Sequence, residues 1–240
     1  DNTEKLDYDD PLCTTECLED LYEYFRSKEA STSAKPTYMI YQLDITENMR
    51  IVLVDWLEKV HRTLKLVPET LYLCINIIDR FLEKESVNRQ NLHLVSATCL
   101  LIAIKYEEVY DLKISDLIYI CDMTYTKKEV IDMEQTILKT LKYRITVPSA
   151  NAFLVRYLEA ANANNKVSHI SQQVLNGTLK SYRLLKYFPS KLAAASVLLA
   201  RHAVGTSEWS PDLMKCTKYC KEDIVHVAKA IIRERIANND

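Results

Sequence analysis

Only two glycines, Gly177 and Gly205, occur in 240 residues, against the roughly 7% usual in proteins. That scarcity removes every phosphate cradle built from clustered glycines, including the P-loop, the dinucleotide fingerprint and the kinase glycine loop. It also argues against a turn-rich β fold, because hairpin turns need residues that tolerate positive φ. The six prolines, at 11, 36, 68, 148, 189 and 211, mostly stand where apolar helical periodicity begins. That is how proline behaves in a first helical turn. The fold class is therefore all-α.

Eleven helices can be placed. The first runs from Thr15 to about Glu29, capped by Thr14 or Thr15, with Leu18, Leu21, Tyr22 and Phe25 at helical spacing. A polar connector follows over 30–46. Five helices are then predicted near 47–64, 68–84, 88–106, 113–122 and 127–142. Five more are predicted near 149–162, 168–187, 190–204, 211–218 and 220–236. Pro68 and the Ser210-Pro211 pair mark first turns, Asn88 is a cap, and Thr126-Lys127-Lys128-Glu129 is a capping box. The two sets of five correspond in order and length at an offset of about 100 residues, each with a small-residue-rich third helix. Three segments follow: an N-terminal helix with its connector (1–46), one five-helix unit (47–146) and a second (147–240).

The opening helix of the first unit has apolar surface to spare. On a helical wheel, Met49, Val52, Leu53, Val54, Trp56, Leu57 and Val60 cover an arc of roughly 200°, where a surface helix needs about 100°. Such a helix is either buried on most sides or carries an exposed docking stripe. Arg50 lies inside that arc, and a buried cation needs a partner. Asp79, in Ile77-Ile78-Asp79-Arg80-Phe81, is a suitable carboxylate, so a structural ion pair is expected. Lys105 follows Leu100-Leu101-Ile102-Ala103-Ile104. It serves either its own helix C-terminus or the unpaired carbonyls at the end of a partner helix. Glu134, among Ile131, Met133, Ile137 and Leu138, is a matching acceptor for a partner's N–H groups.

Catalytic chemistry is not legible. No nucleophile-elbow, zinc-protease or Ser-x-x-Lys pattern is present, and the five histidines are scattered over helices. Acidic neighbours such as Asp9-Asp10 and Glu107-Glu108 diverge on a helix rather than forming an acid/base couple. The seven cysteines lie mostly in apolar runs, as reduced, buried thiols of an intracellular protein do. Cys13-x3-Cys17 and Cys216-x3-Cys220 lack histidines at zinc-finger spacing, so no metal and no cofactor are expected. A net charge of −2 gives no global pull toward nucleic acid or an anionic membrane. No apolar run reaches the roughly 18 residues of a membrane span. The chain begins at Asp1 rather than methionine, as a trimmed core does whose targeting signals lie elsewhere.

Met49-Arg50-x-x-Leu53-Val54-Asp55-Trp56-Leu57 resembles the opening of the cyclin box. Glu69-Thr70-Leu71-Tyr72, Asp79-Arg80-Phe81-Leu82, Leu92-His93-Leu94-Val95, Lys105-Tyr106-Glu107-Glu108, Tyr125-Thr126, Met133-Glu134 with Ile137-Leu138, and Pro189-Ser190-Lys191-x-Ala193-Ala194-Ala195 continue the likeness. It runs from about Pro11 to the C-terminus and is closest to the mitotic A/B class, leaning to B-type. The resemblance implies two tandem five-helix cyclin boxes after an N-terminal helix, in a non-catalytic regulatory subunit of a cyclin-dependent protein kinase acting at G2/M in nucleus and cytoplasm. In that family the first box pushes the kinase's active-site helix inward, a population shift toward the active arrangement. The kinase-contacting positions fall on Lys105, Glu134, Leu21 and Tyr24, and the family's buried pair on Arg50 and Asp79.

The family's groove for Arg-x-Leu docking peptides of substrates and inhibitors maps to Met49, Val52, Leu53, Trp56 and Leu92. Two positions depart from the pattern: Lys59 replaces an acidic residue and His93 a glutamine. Lys59 removes the charge that would pair with the peptide's arginine, so altered peptide choice is predicted. Arg89-x-x-Leu92 fits the minimal destruction string but sits in a helix, and a working signal is expected upstream of Asp1. Two other readings compete. A transcription-factor core of tandem cyclin-like boxes would need a clustered basic face for DNA. A cyclin-fold adaptor would bind partners without activating a kinase.

Overall fold

The computed structural model describes residues 15–110, 112–206 and 208–237. Thr14, Cys13, Pro11 and the Asp9-Asp10 pair lie outside them. The described residues form eleven α-helices and two short 3-10 turns, with no strand among them. They are α1 (Thr15–Thr32), α2 (Glu47–Leu64), α3 (Pro68–Leu82), α4 (Arg89–Glu107), α5 (Ile114–Ile120), α6 (Lys127–Thr140), α7 (Ala150–Ala160), α8 (Asn165–Thr178), α9 (Pro189–Ala203), α10 (Pro211–Thr217) and α11 (Lys221–Ala237).

Capping chemistry fixes most starts. The side chains of Thr46, Asn88, Ser149, Asn164 and Ser210 accept backbone N–H groups of the first turns of α2, α4, α7, α8 and α10. Thr126 and Glu129 form a reciprocal capping box on α6. Pro68, Pro189 and Pro211 occupy first-turn positions, where the missing N–H costs nothing. The ends show how a chain with so little glycine turns corners. Lys65, Asp122, Met123, Lys142, Tyr143, Asn162 and Lys218 take positive φ, and Gly205 is the one glycine that does. Each non-glycine residue there carries a steric cost.

Two large hydrophobic cores organise the helices, with a smaller cluster of Leu94, Ala97, Leu101, Leu117, Cys121 and Val130 seating α5 against α4 and α6. In the first, α2, α3 and α6 pack round α4, whose Val95, Cys99, Leu100, Ala103 and Ile104 are buried. In the second, α7, α8, α10 and α11 surround α9, whose Ala193, Ala194, Ala195 and Ala200 permit close approach. Cys74, Cys99 and Cys121 are buried thiols, and burial pushes the Cys121 thiol up to about 11.

The structure departs from the sequence reading in two segments. The helix expected over 168–187 is instead α8, which starts at Asn165 because Asn164 caps it and stops at Thr178, followed by a 3-10 turn over Tyr182–Lys186. The carbonyls of Leu179 and Lys180 accept hydrogen bonds from Arg50 Nη1 (2.9 and 3.1 Å), a distant residue that no local pattern announces. The connector 30–46 contains a 3-10 turn, Tyr38–Tyr41, whose Tyr38 is buried. Gln42 pins it to the end of α3, donating to the carbonyls of Leu82 and Glu85 and accepting from the Val87 N–H.

The first helix packs on the second core, although the chain runs from it directly into the first. Tyr22 and Phe25 pack on Phe153, with ring centroids 5.9 and 6.3 Å away. Arg26 reaches the Cys216 carbonyl and the Tyr157 hydroxyl. The buried Glu29 carboxylate accepts from the N–H and hydroxyl of Ser190 in the first turn of α9 (2.7 and 2.8 Å).

Candidate functional site

Arg50 and Asp79 meet at the centre of the first core, each about 2% exposed. The contact is bidentate: Nε to Oδ1 and Nη2 to Oδ2, both 2.8 Å. Such a fork satisfies both charges directionally. The Tyr38 hydroxyl donates to the same carboxylate (2.7 Å), while Arg50 Nη1 donates to the two carbonyls beyond α8. Burial works against the charge on Arg50, but the Asp79 carboxylate more than compensates and holds its pKa above the ordinary value. Burial, reinforced by Asp79, pushes the Tyr38 phenol well up. The node therefore ties α2, α3, the Tyr38 turn and the end of α8 together. Lys180 strengthens the same junction through Asp55 (2.6 Å) and Glu58 (3.2 Å) of α2.

Lys105, in the last turn of α4, and Glu134, on α6, face each other at the surface with Nζ 2.6 Å from Oε1. Their side chains are 41% and 15% exposed. An ion pair that accessible is worth only about 0–1 kcal/mol. The two charges are thus held in place yet easily re-paired. Glu108, three residues past Lys105, turns inward and accepts from the Val67 N–H and the Thr70 hydroxyl, closing the start of α3. On α1, Leu21 and Tyr24 are 42% and 54% exposed, on the side of the helix not used by Tyr22 and Phe25.

The residues of the expected groove divide between floor and rim. Leu53 and Leu92 are buried and belong to the core; Met49 and Trp56 are half-buried; Val52 is 69% exposed. His93 stacks edge-on against Trp56 at 4.5 Å, and its Nδ1 lies 3.0 Å from the Tyr125 hydroxyl. Burial lowers the His93 pKa, with Asp122 opposing. Lys59, one turn beyond Trp56, is exposed and has no ion-pair partner among the described residues.

Several residues of these sites were not legible. Tyr38, Tyr182, Arg26 and Glu29 carry long-range polar contacts but sit in ordinary sequence surroundings. Arg89 and Leu92 lie in the first turn of α4, with Leu92 buried. Among the described residues no cluster of His, Cys, Asp and Glu is arranged to hold a metal. No helix is long and apolar enough to cross a membrane.

Residues 20–146 match the model of the cyclin N-terminal domain and residues 148–239 that of the cyclin C-terminal domain. The chain belongs to the cyclin family. Its relatives include the G2/mitotic-specific cyclin-1 of Medicago sativa subsp. varia, 42% identical over 94% of this chain and 53% of that protein. Cyclin-B2-1 of Oryza sativa subsp. japonica is 39% identical over 95% of this chain and 55% of its own length. The G2/mitotic-specific cyclin-2 of Medicago sativa is 39% identical and is covered over 70% of its length. This cyclin thus spans about half the length of the first curated relatives it matches, and its likeness is to the mitotic, B-type branch. The X-ray structure of a viral cyclin from herpesvirus saimiri superposes with a TM-score of 0.76 over 88% of this chain and 93% of its own, at 20% identity. That match fixes the fold as the cyclin fold.

Proposed function

We propose that this chain is a non-catalytic subunit that binds and activates a cyclin-dependent protein kinase in G2/M control, acting in nucleus and cytoplasm. In this reading residues 47–146 and 147–240 are the two cyclin boxes, and 1–46 supply the N-terminal helix and connector. The observation that carries it is the surface pair Lys105–Glu134. Held 2.6 Å apart, the two side chains offer a donor and an acceptor that exchange each other for the partner's backbone groups at little cost. Leu21 and Tyr24 add exposed apolar area from α1. Because the cyclin contacts the active arrangement of the kinase better than the inactive one, binding shifts that equilibrium.

Met49, Val52, Leu53, Trp56 and Leu92, with His93 and Lys59 at their edge, form the proposed docking groove for substrate or inhibitor peptides. The free ammonium of Lys59 disfavours an arginine at the neighbouring peptide position. An Arg-x-Leu peptide and its Arg→Ala variant should therefore bind alike, and a strong loss on Arg→Ala would refute the assignment. The kinase role is tested by co-purification and a histone-peptide phosphorylation assay. Lys105→Ala with Glu134→Ala should abolish kinase binding and stimulation while the helical circular-dichroism spectrum stays intact. Binding without stimulated phosphorylation would point instead to an adaptor.

A further inference from the structure

A second feature of the α1 face is a cleft of about 400 Å3 between the C-terminal half of α1, Arg80 of α3 and the segment joining α6 to α7. Three cations line it, Lys28, Arg80 and Arg144, together with Tyr24 and Tyr143, and no Asp or Glu among the described residues lines it. Lys28 and Arg144 are exposed at its mouth, and Lys28 Nζ rests 5.0 Å from the centre of the Tyr24 ring.

Arg80 is the telling member. It is only 6% exposed, yet its hydrogen bonds go to neutral acceptors: Nη2 to the Arg144 carbonyl (2.8 Å) and Nη1 to Asn76 Oδ1 (3.3 Å). No carboxylate lies within ion-pair distance among the described residues. Burial pulls its pKa below the ordinary value; Glu83 opposes this and Arg144 reinforces it. The other buried arginine, Arg50, has a bidentate carboxylate. A guanidinium left without one at the wall of a cationic cleft is a vacant half of a charge pair. Its position is fixed, because Asn76 also donates to the Thr32 carbonyl at the end of α1 (2.8 Å).

The cleft is continuous with the face proposed above for the kinase. Tyr24 belongs to both, and Thr146 on its wall hydrogen bonds to Tyr106, the neighbour of Lys105. We propose that the cleft receives an oxyanion, a carboxylate or a phosphate group, presented by the kinase partner, with Arg80 as the buried fork and Lys28 and Arg144 as outer cations. This rests on the kinase-binding reading.

The test has two arms. Inorganic phosphate titrated into the free chain should bind saturably and shift the Arg80 Nε–H resonance. Lys28→Ala with Arg144→Ala, both at exposed positions, should weaken that binding by about tenfold. In the second arm, Lys28→Glu with Arg144→Glu should weaken kinase affinity by about tenfold or more and flatten its salt dependence. Repeating this with phosphatase-treated kinase separates the sources. An undiminished effect identifies a carboxylate, and an effect lost with the phosphate identifies a phosphoryl group. Unchanged kinase affinity in the double Glu variant would overturn the proposal, whether or not phosphate binds. Retained kinase binding by the Lys105→Ala, Glu134→Ala variant would instead count against the kinase-binding reading itself.

Discussion

Replacing Arg50 by alanine tests whether the buried node is a simple ion pair or the fastener between the two halves. The substitution strands the Asp79 carboxylate, 2% exposed, with only the Tyr38 hydroxyl as donor. Removing one partner of a buried pair costs about 3–5 kcal/mol. It also removes the donor to the Leu179 and Lys180 carbonyls, and two poorly satisfied acceptors add roughly 1 kcal/mol each. The total, about 5–7 kcal/mol, approaches the whole stability of a domain at 5–15 kcal/mol. Arg50→Ala should therefore be largely unfolded at 37 °C or show two separated urea transitions by circular dichroism. Arg50→Met with Asp79→Leu removes both charges at once. A lone pair replaced by apolar residues of similar volume costs little, so that double variant should recover most of the loss. The carbonyls beyond α8 remain without their donor, and the buried Tyr38 hydroxyl loses its acceptor, so it should still fall short of wild type by about 3 kcal/mol. A loss below about 1 kcal/mol for Arg50→Ala would refute a buried, compensated charge. Full recovery in the double variant would refute the part played by the carbonyls.

Three further outcomes are expected. Lys65 closes α2 at φ 53, so Lys65→Gly should raise the thermal unfolding midpoint, with a gain of about 1 kcal/mol offset in part by the entropy of a freer unfolded chain; a destabilised variant would show that its side chain matters more than its backbone. Burial raises the Glu29 pKa above its usual 4.5 despite the Ser190 hydrogen bonds. The folded state then binds more protons than the unfolded state, so this contribution to stability is present below pH 4.5 and lost as pH rises through the folded pKa. Glu29→Gln should remove that decline between mildly acidic and neutral pH, read as urea midpoints; an unchanged pH slope would contradict it. Because His93 stacks on Trp56 and its pKa is lowered from 6.5, tryptophan fluorescence should change with a midpoint below pH 6.5 and lose that transition in His93→Gln; a midpoint above 6.5 would contradict the burial argument.

The helices were legible because their causes are local. Asn88, Thr126 with Glu129, Pro68 and Ser210-Pro211 act within one turn of their own position, and the structure starts α4, α6, α3 and α10 at them. The Arg50–Asp79 partnership was also readable, because a cation and a carboxylate in two apolar stripes have few other means of satisfaction. The break after α8 was not, since its reason is a guanidinium arriving from residue 50. Nor was the depth of the residues of the proposed groove, where helical spacing puts Leu53 and Val52 on one arc but packing buries the first and exposes the second.

Scarce glycine, proline placement, side-chain caps and apolar periodicity by themselves determined an all-α chain with most of its helices in register, because each is a short-range constraint on φ, ψ and the first few N–H groups. Three matters were left to the tertiary structure. It seats α1 on the second core through Phe153 and Ser190, sets Lys105 against Glu134, and leaves Arg80 with no carboxylate from the described residues beside Lys28 and Arg144. Each depends on which distant surfaces meet once the apolar faces are buried, and on whether a charge finds its complement there. Local pattern carries no record of either.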